Sequence, residues 1–233
     1  MEWDTNFEMP NDTVDRDTLD AAAGDKLDRF YVDLANGLHA LAQPLTILQS
    51  TVGASSAPGC TTDRQQHYRD VSILQVERAC DIYWGLQNLV VANQAAAERT
   101  PYDLSQALAS LLEDQLAVLT ASGIELSIAP SFADRSIQGD ASRTLQAVQT
   151  SFKIAASRSS AGDVIKLKSA VADGRVELTI ANSRLYGKVL NSLDRLNMAV
   201  AETNIRSQQG DYSYSDDPFS VVICLPIQRV EPV

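Results

Sequence analysis

Two histidines and three cysteines are the side chains of this 233-residue chain best suited to nucleophilic or ligand chemistry, and His39 stands apart by its surroundings. It follows Leu38, with Gln43, Pro44 and Leu45 just beyond. An imidazole can accept and carry a group near neutral pH. Gln43 lies one helical turn further on, on the same helix face. The plainer alternatives are a surface or half-buried ring for His39, a capping or interface amide for Gln43 and a simple bend for Pro44. His67 has no comparable context and reads as solvated. Cys60, Cys80 and Cys224 are odd in number and scattered, so neither a disulfide framework nor a metal site is indicated.

The element that must position His39 is a long helix. Leu27, Tyr31, Leu34, Leu38, Leu41, Leu45, Leu48 and Val52 recur at alternating spacings of four and three, a heptad seam. Such a stripe needs a partner helix or a second copy of itself. Pro44 removes an amide donor and presses on the Ala40 carbonyl, so the helix should bend near the histidine. Residues 53–59 are turn material, and Thr62 or Asp63 should cap a second helix running towards Ala97. Two such helices make an antiparallel hairpin that buries too little alone, so a homodimeric four-helix bundle is expected.

After Tyr102 the pattern changes. Asp103 should cap a helix from Leu104 to about Ala121, and alternation over residues 124–128 reads as a strand. A helix of about 141–157 follows Gly139-Asp140. Strands at 164–168 and 176–180 are joined through Asp173-Gly174, then come a helix of about 185–207 and a last strand at 219–227. The acidic run from Asp211 to Asp217 reads as a solvated loop. The expected class is α+β: a helical hairpin forming a dimeric bundle, followed by a two-layer α/β sandwich. The expected division is a loose acidic arm at 1–20, the hairpin at 21–99 and the sandwich at 100–233.

The string His39-Ala40-Leu41-Ala42-Gln43-Pro44-Leu45 resembles the H-box of sensor histidine kinases, with His39, Gln43, Pro44 and Leu45 matching and Ala40 standing where that family has an acid. The element order after residue 103 resembles the family's ATP-binding domain. The resemblance implies phosphoryl chemistry at His39 with a response-regulator receiver aspartate. It also names what the second half lacks. Thr150 and Ile154 stand where magnesium-binding asparagines are expected, Asn182 stands at or near the adenine-reading aspartate, and residues 193–200 hold no glycine. The sandwich is therefore expected to bind no nucleotide cofactor, and ATP-dependent kinase activity is not expected. The resemblance narrows to dimeric kinase-like histidine phosphotransferases with decayed nucleotide sites.

A net charge of −11 argues against nucleic acid and anionic membrane as partners. No stretch is as long and apolar as a transmembrane span, and the acidic N-terminus is unlike a signal peptide, so the chain reads as cytosolic. The expectation is a homodimeric histidine phosphotransferase, with His39 as phosphoryl carrier and Gln43 positioning the receiver. The alternatives are a non-catalytic adaptor that binds a receiver or an upstream histidine kinase, a receiver phosphatase in which Gln43 orients a water, and a sensor-kinase core with an unusual nucleotide site.

Overall fold

The computed structural model describes residues 16–94, 97, 99–129, 135–182 and 190–227. Helix α1 (Arg16–Ser55) continues through Pro44, and α2 (Thr62–Gln94) returns beside it. The Thr51 and Ser72 hydroxyls meet at 3.0 Å across the closed end of this hairpin. The connection turns at Gly59, whose φ of 85° suits a residue without a Cβ.

The heptad seam divides in two. Leu34 and Leu41 pack inward against α2, whereas Leu27, Tyr31, Leu38, Leu45 and Val52 stay exposed. A single helix stripe of this width thus serves two surfaces, one inside the hairpin and one outside it.

The second half runs β1 (Thr100–Asp103), α3 (Leu104–Ala121), β2 (Glu125–Ile128), β3 (Ser136–Gly139), α4 (Ala141–Ser157), β4 (Val164–Ala172), β5 (Arg175–Asn182), α5 (Ser192–Arg206), β6 (Asp211–Asp216) and β7 (Phe219–Pro226). The main sheet has the order β2-β4-β5-β7-β6; β2 and β4 are parallel and the other pairs antiparallel. β1 and β3 form a separate antiparallel pair. Strict alternation in β5 and β7 sends Val176, Leu178, Ile180, Val221, Ile223 and Leu225 into one core with Leu104, Leu108, Phe152 and Ile154 of the helices. This is a two-layer α/β sandwich. Three helices start on side-chain caps that the sequence carries: Asp103 accepts from the Gln106 amide, Asp140 from Arg143 and Asn191 from Asp194.

The structure corrects three expectations. The acidic run is not a solvated loop. Residues 211–216 form β6, with Tyr212 buried against Ser151, Asp211 paired with Arg175, and Asp216 held by Arg158. Arg158 is itself buried, stacked 5.1 Å over the Phe219 ring. The expected helix of about 185–207 starts only at Ser192, because Asn191 is extended and caps it; residues 185–189 lie outside the described residues. β1 and β3 were not expected; each is four residues long and gains its shape from the other.

A second core crosses between the halves. Ala40 of α1 and Ile82, Leu86 and Leu89 of α2 close around Leu196 and Val200 of α5. The opposite face of α5, with Met198, Ala201 and Ile205, enters the sandwich core. Leu196 fits between the hairpin helices at Gly85 and Gly37: a Cβ on Gly85 would stand 2.7 Å from Leu196 Cδ2, and one on Gly37 would stand 3.3 Å from Leu196 Cδ1. Gly24, also inside α1, has nothing within 4 Å of such a Cβ. Gly24→Ala should therefore raise stability by about 0.5–1 kcal/mol through helix propensity. Gly85→Leu should lower it by about 1–3 kcal/mol through overpacking. Urea unfolding of the two variants checks the contrast.

Candidate functional site

His39 is exposed on α1, and the helix register explains why. Leu38, 54% exposed, faces outward with Leu45, while Ala40 is only 6% exposed and lies beneath α5. The histidine falls between these two directions, on the flank of the hairpin. Gln43 is exposed one turn further on, and Pro44 between it and Leu45 is buried. The Thr46 hydroxyl donates back to the Ala42 carbonyl at 2.8 Å.

Two grooves meet at His39. One of about 590 Å³ is lined by His39, Ala42, Gln43, Thr46 and Ser192 among others. The other, about 290 Å³, holds His39 with Asp33, Asn36, Ser192 and Arg195. The structure thus brings the two sequence-singled residues together and adds the first turn of α5 opposite them. Sequence reasoning missed Ser192 and Arg195, since no motif surrounds them.

The residues expected at a nucleotide site are distributed differently. Ile154 is 2% exposed within the sandwich core, and Thr150 is half-buried on α4. Asn182 is buried and donates to the Ser159 hydroxyl at 2.8 Å. Residues 193–200 are all helical within α5, and Gly187 lies outside the described residues. Gly210 permits close packing: a Cβ there would stand 2.6 Å from the Cys224 carbonyl.

A polar cluster also missed from the sequence ties α4 to the end of α5. Gln208 is fully buried; its Oε1 accepts from the Asp140 amide at 2.8 Å and its Nε2 donates to Thr144 Oγ1 at 3.1 Å. The Tyr102 hydroxyl donates to the same Thr144 oxygen at 2.8 Å, and burial pushes its pKa up to about 12. Arg143 reaches the Ser207 hydroxyl at 2.7 Å and the Ala92 carbonyl of α2 at 3.3 Å.

A third groove, about 700 Å³, separates the start of α1 from the outer face of α5. Its charges are mixed: Arg29 pairs with Asp25 at 2.9 Å and Glu202 at 3.7 Å, and Arg206 pairs with Glu202 at 2.8 Å. Among the described residues, no group of three or more His, Cys, Asp or Glu side chains is placed to hold a metal ion, and no helix is long and apolar enough to cross a membrane.

No protein-family model and no curated protein sequence matches the chain. Solved structures do. The Acinetobacter baumannii histidine kinase AdeS aligns with a TM-score of 0.59 at 19% identity, over 82% of this chain and 98% of that one. A histidine kinase from Burkholderia phymatum STM815 gives 0.47 at 15% identity over 82% and 97%, and the mycobacterial sensor histidine kinase MprB gives 0.44 at 19% over 57% and 100%. The likeness to AdeS shows the fold alone: a helical hairpin followed by an α/β sandwich, arranged as in that histidine kinase.

Asp33, at the meeting of two of these grooves, has its pKa raised by burial and then by the Glu202 carboxylate, with Arg29 opposing. The native state therefore holds its proton more tightly than the unfolded chain, so this residue's contribution to stability falls as pH rises from the ordinary carboxylate value to the raised native one. Asp33→Asn should be more stable than wild type at neutral pH, and the gap should close on acidification through that window. Urea midpoints measured across it give the sign.

Proposed function

We propose that the chain is a homodimeric, cytoplasmic histidine phosphotransferase in two-component signalling. His39 exchanges a phosphoryl group with the aspartate of a response-regulator receiver domain. The observation that carries this reading is the exposed His39 ring on the hairpin flank, with Gln43 one turn along the same groove. In this reading residues 21–99 are the dimerisation and phosphotransfer unit, and residues 100–233 a degenerate ATP-binding-like unit.

The transfer needs little from this chain. A lone pair on one His39 ring nitrogen attacks the phosphorus of the receiver's aspartyl phosphate. The N–P bond forms as the P–O bond breaks, and its electron pair leaves with the aspartate carboxylate. The ring's other nitrogen releases its proton to water. The receiver's magnesium and acidic pocket stabilise the moving phosphoryl group. ATP has no part in this step. The apolar Ile154, the Asn182–Ser159 bond and the glycine-free α5 support a sandwich that no longer holds nucleotide.

The dimer follows from surface left uncovered. Leu38, Leu45 and Val52 of α1 are 48–54% exposed, and Ile73, Tyr83, Trp84 and Val91 of α2 are 49–60% exposed. Two hairpins joined along these faces form a four-helix bundle. A second reading, an adaptor for a receiver or an upstream kinase without chemistry, is favoured by Ala40, where the resembling family has an acid beside the ring.

Incubation with a phosphorylated receiver tests the proposal. Wild type should acquire label and His39→Ala should not; Gln43→Ala should still be labelled, with receiver KM raised about fivefold, as expected for one lost hydrogen bond. Receiver binding without label on wild type favours the adaptor. By light scattering, wild type should have the mass of two chains, and the pair Leu38→Asp with Leu45→Asp should have the mass of one.

A further inference from the structure

The first turn of α5 faces His39 from the other half of the chain. Ser192 lines both grooves that meet at the ring, and Arg195 lines the smaller one. The Arg195 side chain is exposed; among the described residues its bond is a long one, Nε to the Leu190 carbonyl at 3.4 Å, so the guanidinium is available to an anion. The Asn191 side chain takes the Asp194 amide, which leaves the Ser192 and Leu193 amides without a carbonyl inside the helix. A helix start is also partly positive. The neighbour of Arg195 is Leu196, which sits against Gly85 and Gly37 and so fixes the arginine's backbone beside α1. Ala40, under the same helix, keeps the surface low enough for α5 to approach.

Resting on the reading of His39 as the phosphoryl carrier, we propose that Arg195 is the cation that binds the phosphoryl group on His39, with Ser192 beside it, so that α5 completes the site. A phosphoryl group on the ring carries close to two negative charges, and a guanidinium fork matches its oxygens with two parallel charge-assisted bonds. Asp33 is the carboxylate lining that groove, and burial and Glu202 oppose its charge. The sandwich, in this view, is an active part of the phosphotransfer site: it delivers the positive charge that the hairpin flank lacks.

Phosphoramidate separates this claim from the choice of receiver. It phosphorylates a ring nitrogen directly: the N–P bond to His39 forms, the donor's P–N bond breaks, and the ring proton passes through solvent to the leaving amine, which departs as ammonia. The full chain, loaded in this way, is followed by phosphorus NMR alongside Arg195→Gln, Arg195→Lys and Gly85→Leu. Wild type should load at His39. Arg195→Gln, with an unchanged melting temperature, should load about tenfold or more slowly, and its phosphoryl resonance should titrate at higher pH because the cation that favours the dianion is gone. Arg195→Lys should recover part of both effects. Gly85→Leu, which keeps Arg195 but lifts α5, should load as slowly as Arg195→Gln; Leu196→Ala replaces it if that variant fails to fold. Equal loading rates and titration midpoints in wild type and Arg195→Gln overturn the role of Arg195 and leave His39 as carrier. Failure of wild type to take phosphate at His39 from either phosphoramidate or a phosphorylated receiver overturns both.

Discussion

One contact organises this molecule: Leu196 of α5 pressed into the two-glycine notch of the hairpin. α5 is apolar on two faces, one in the sandwich core and one in the hairpin core. Two apolar faces must both be covered, and here the cover is shared between the halves of the chain, while the polar side of α5 lines the outer groove. Gly37 and Gly85 are unfavourable inside helices. They are explained by packing: a Cβ on Gly85 would meet Leu196 at 2.7 Å, and one on Gly37 would meet Leu86 at 2.5 Å and Leu196 at 3.3 Å.

That packing accounts for the alanine at position 40. An acid at position 40 would sit among Leu86, Leu196 and Val200, where a charge is costly to desolvate. Alanine is what the docked helix allows. Position 40 thus offers the ring no acid, while Ser192 and Arg195 of the same helix line the groove that the ring borders. Both features follow from the docking of α5, so the small residue at position 40 and the presence of α5 belong together.

Some of this was legible in the residues and some was not. The bounds of α3 and α4 could be read because Asp103 and Asp140 signal their starts locally and do cap them. The β4–β5 hairpin could be read because Asp173 and Gly174 both take positive φ, 49° and 71°, as a tight turn there needs. β6 could not, since it buries only Tyr212 and one end residue in part, and its pairing comes from β7. For the site, His39 and Gln43 carry a local string, whereas Ser192 and Arg195 become neighbours of the ring only through long-range docking. The outward half of the heptad seam could not be told from its inward half, because both have the same spacing along the chain.

The shared helix also bears on how the chain folds. The chain leaves the hairpin at the end of α2, builds most of the sandwich, and only then supplies the α5 side chains that finish the hairpin's own interior. These are contacts of large sequence separation, which form late and slowly. A hairpin cut out alone would lack Leu196 and Val200 from its interior and expose Ala40, Ile82 and Leu86. The two halves therefore share one interior, and α5 couples the stability of each to the other.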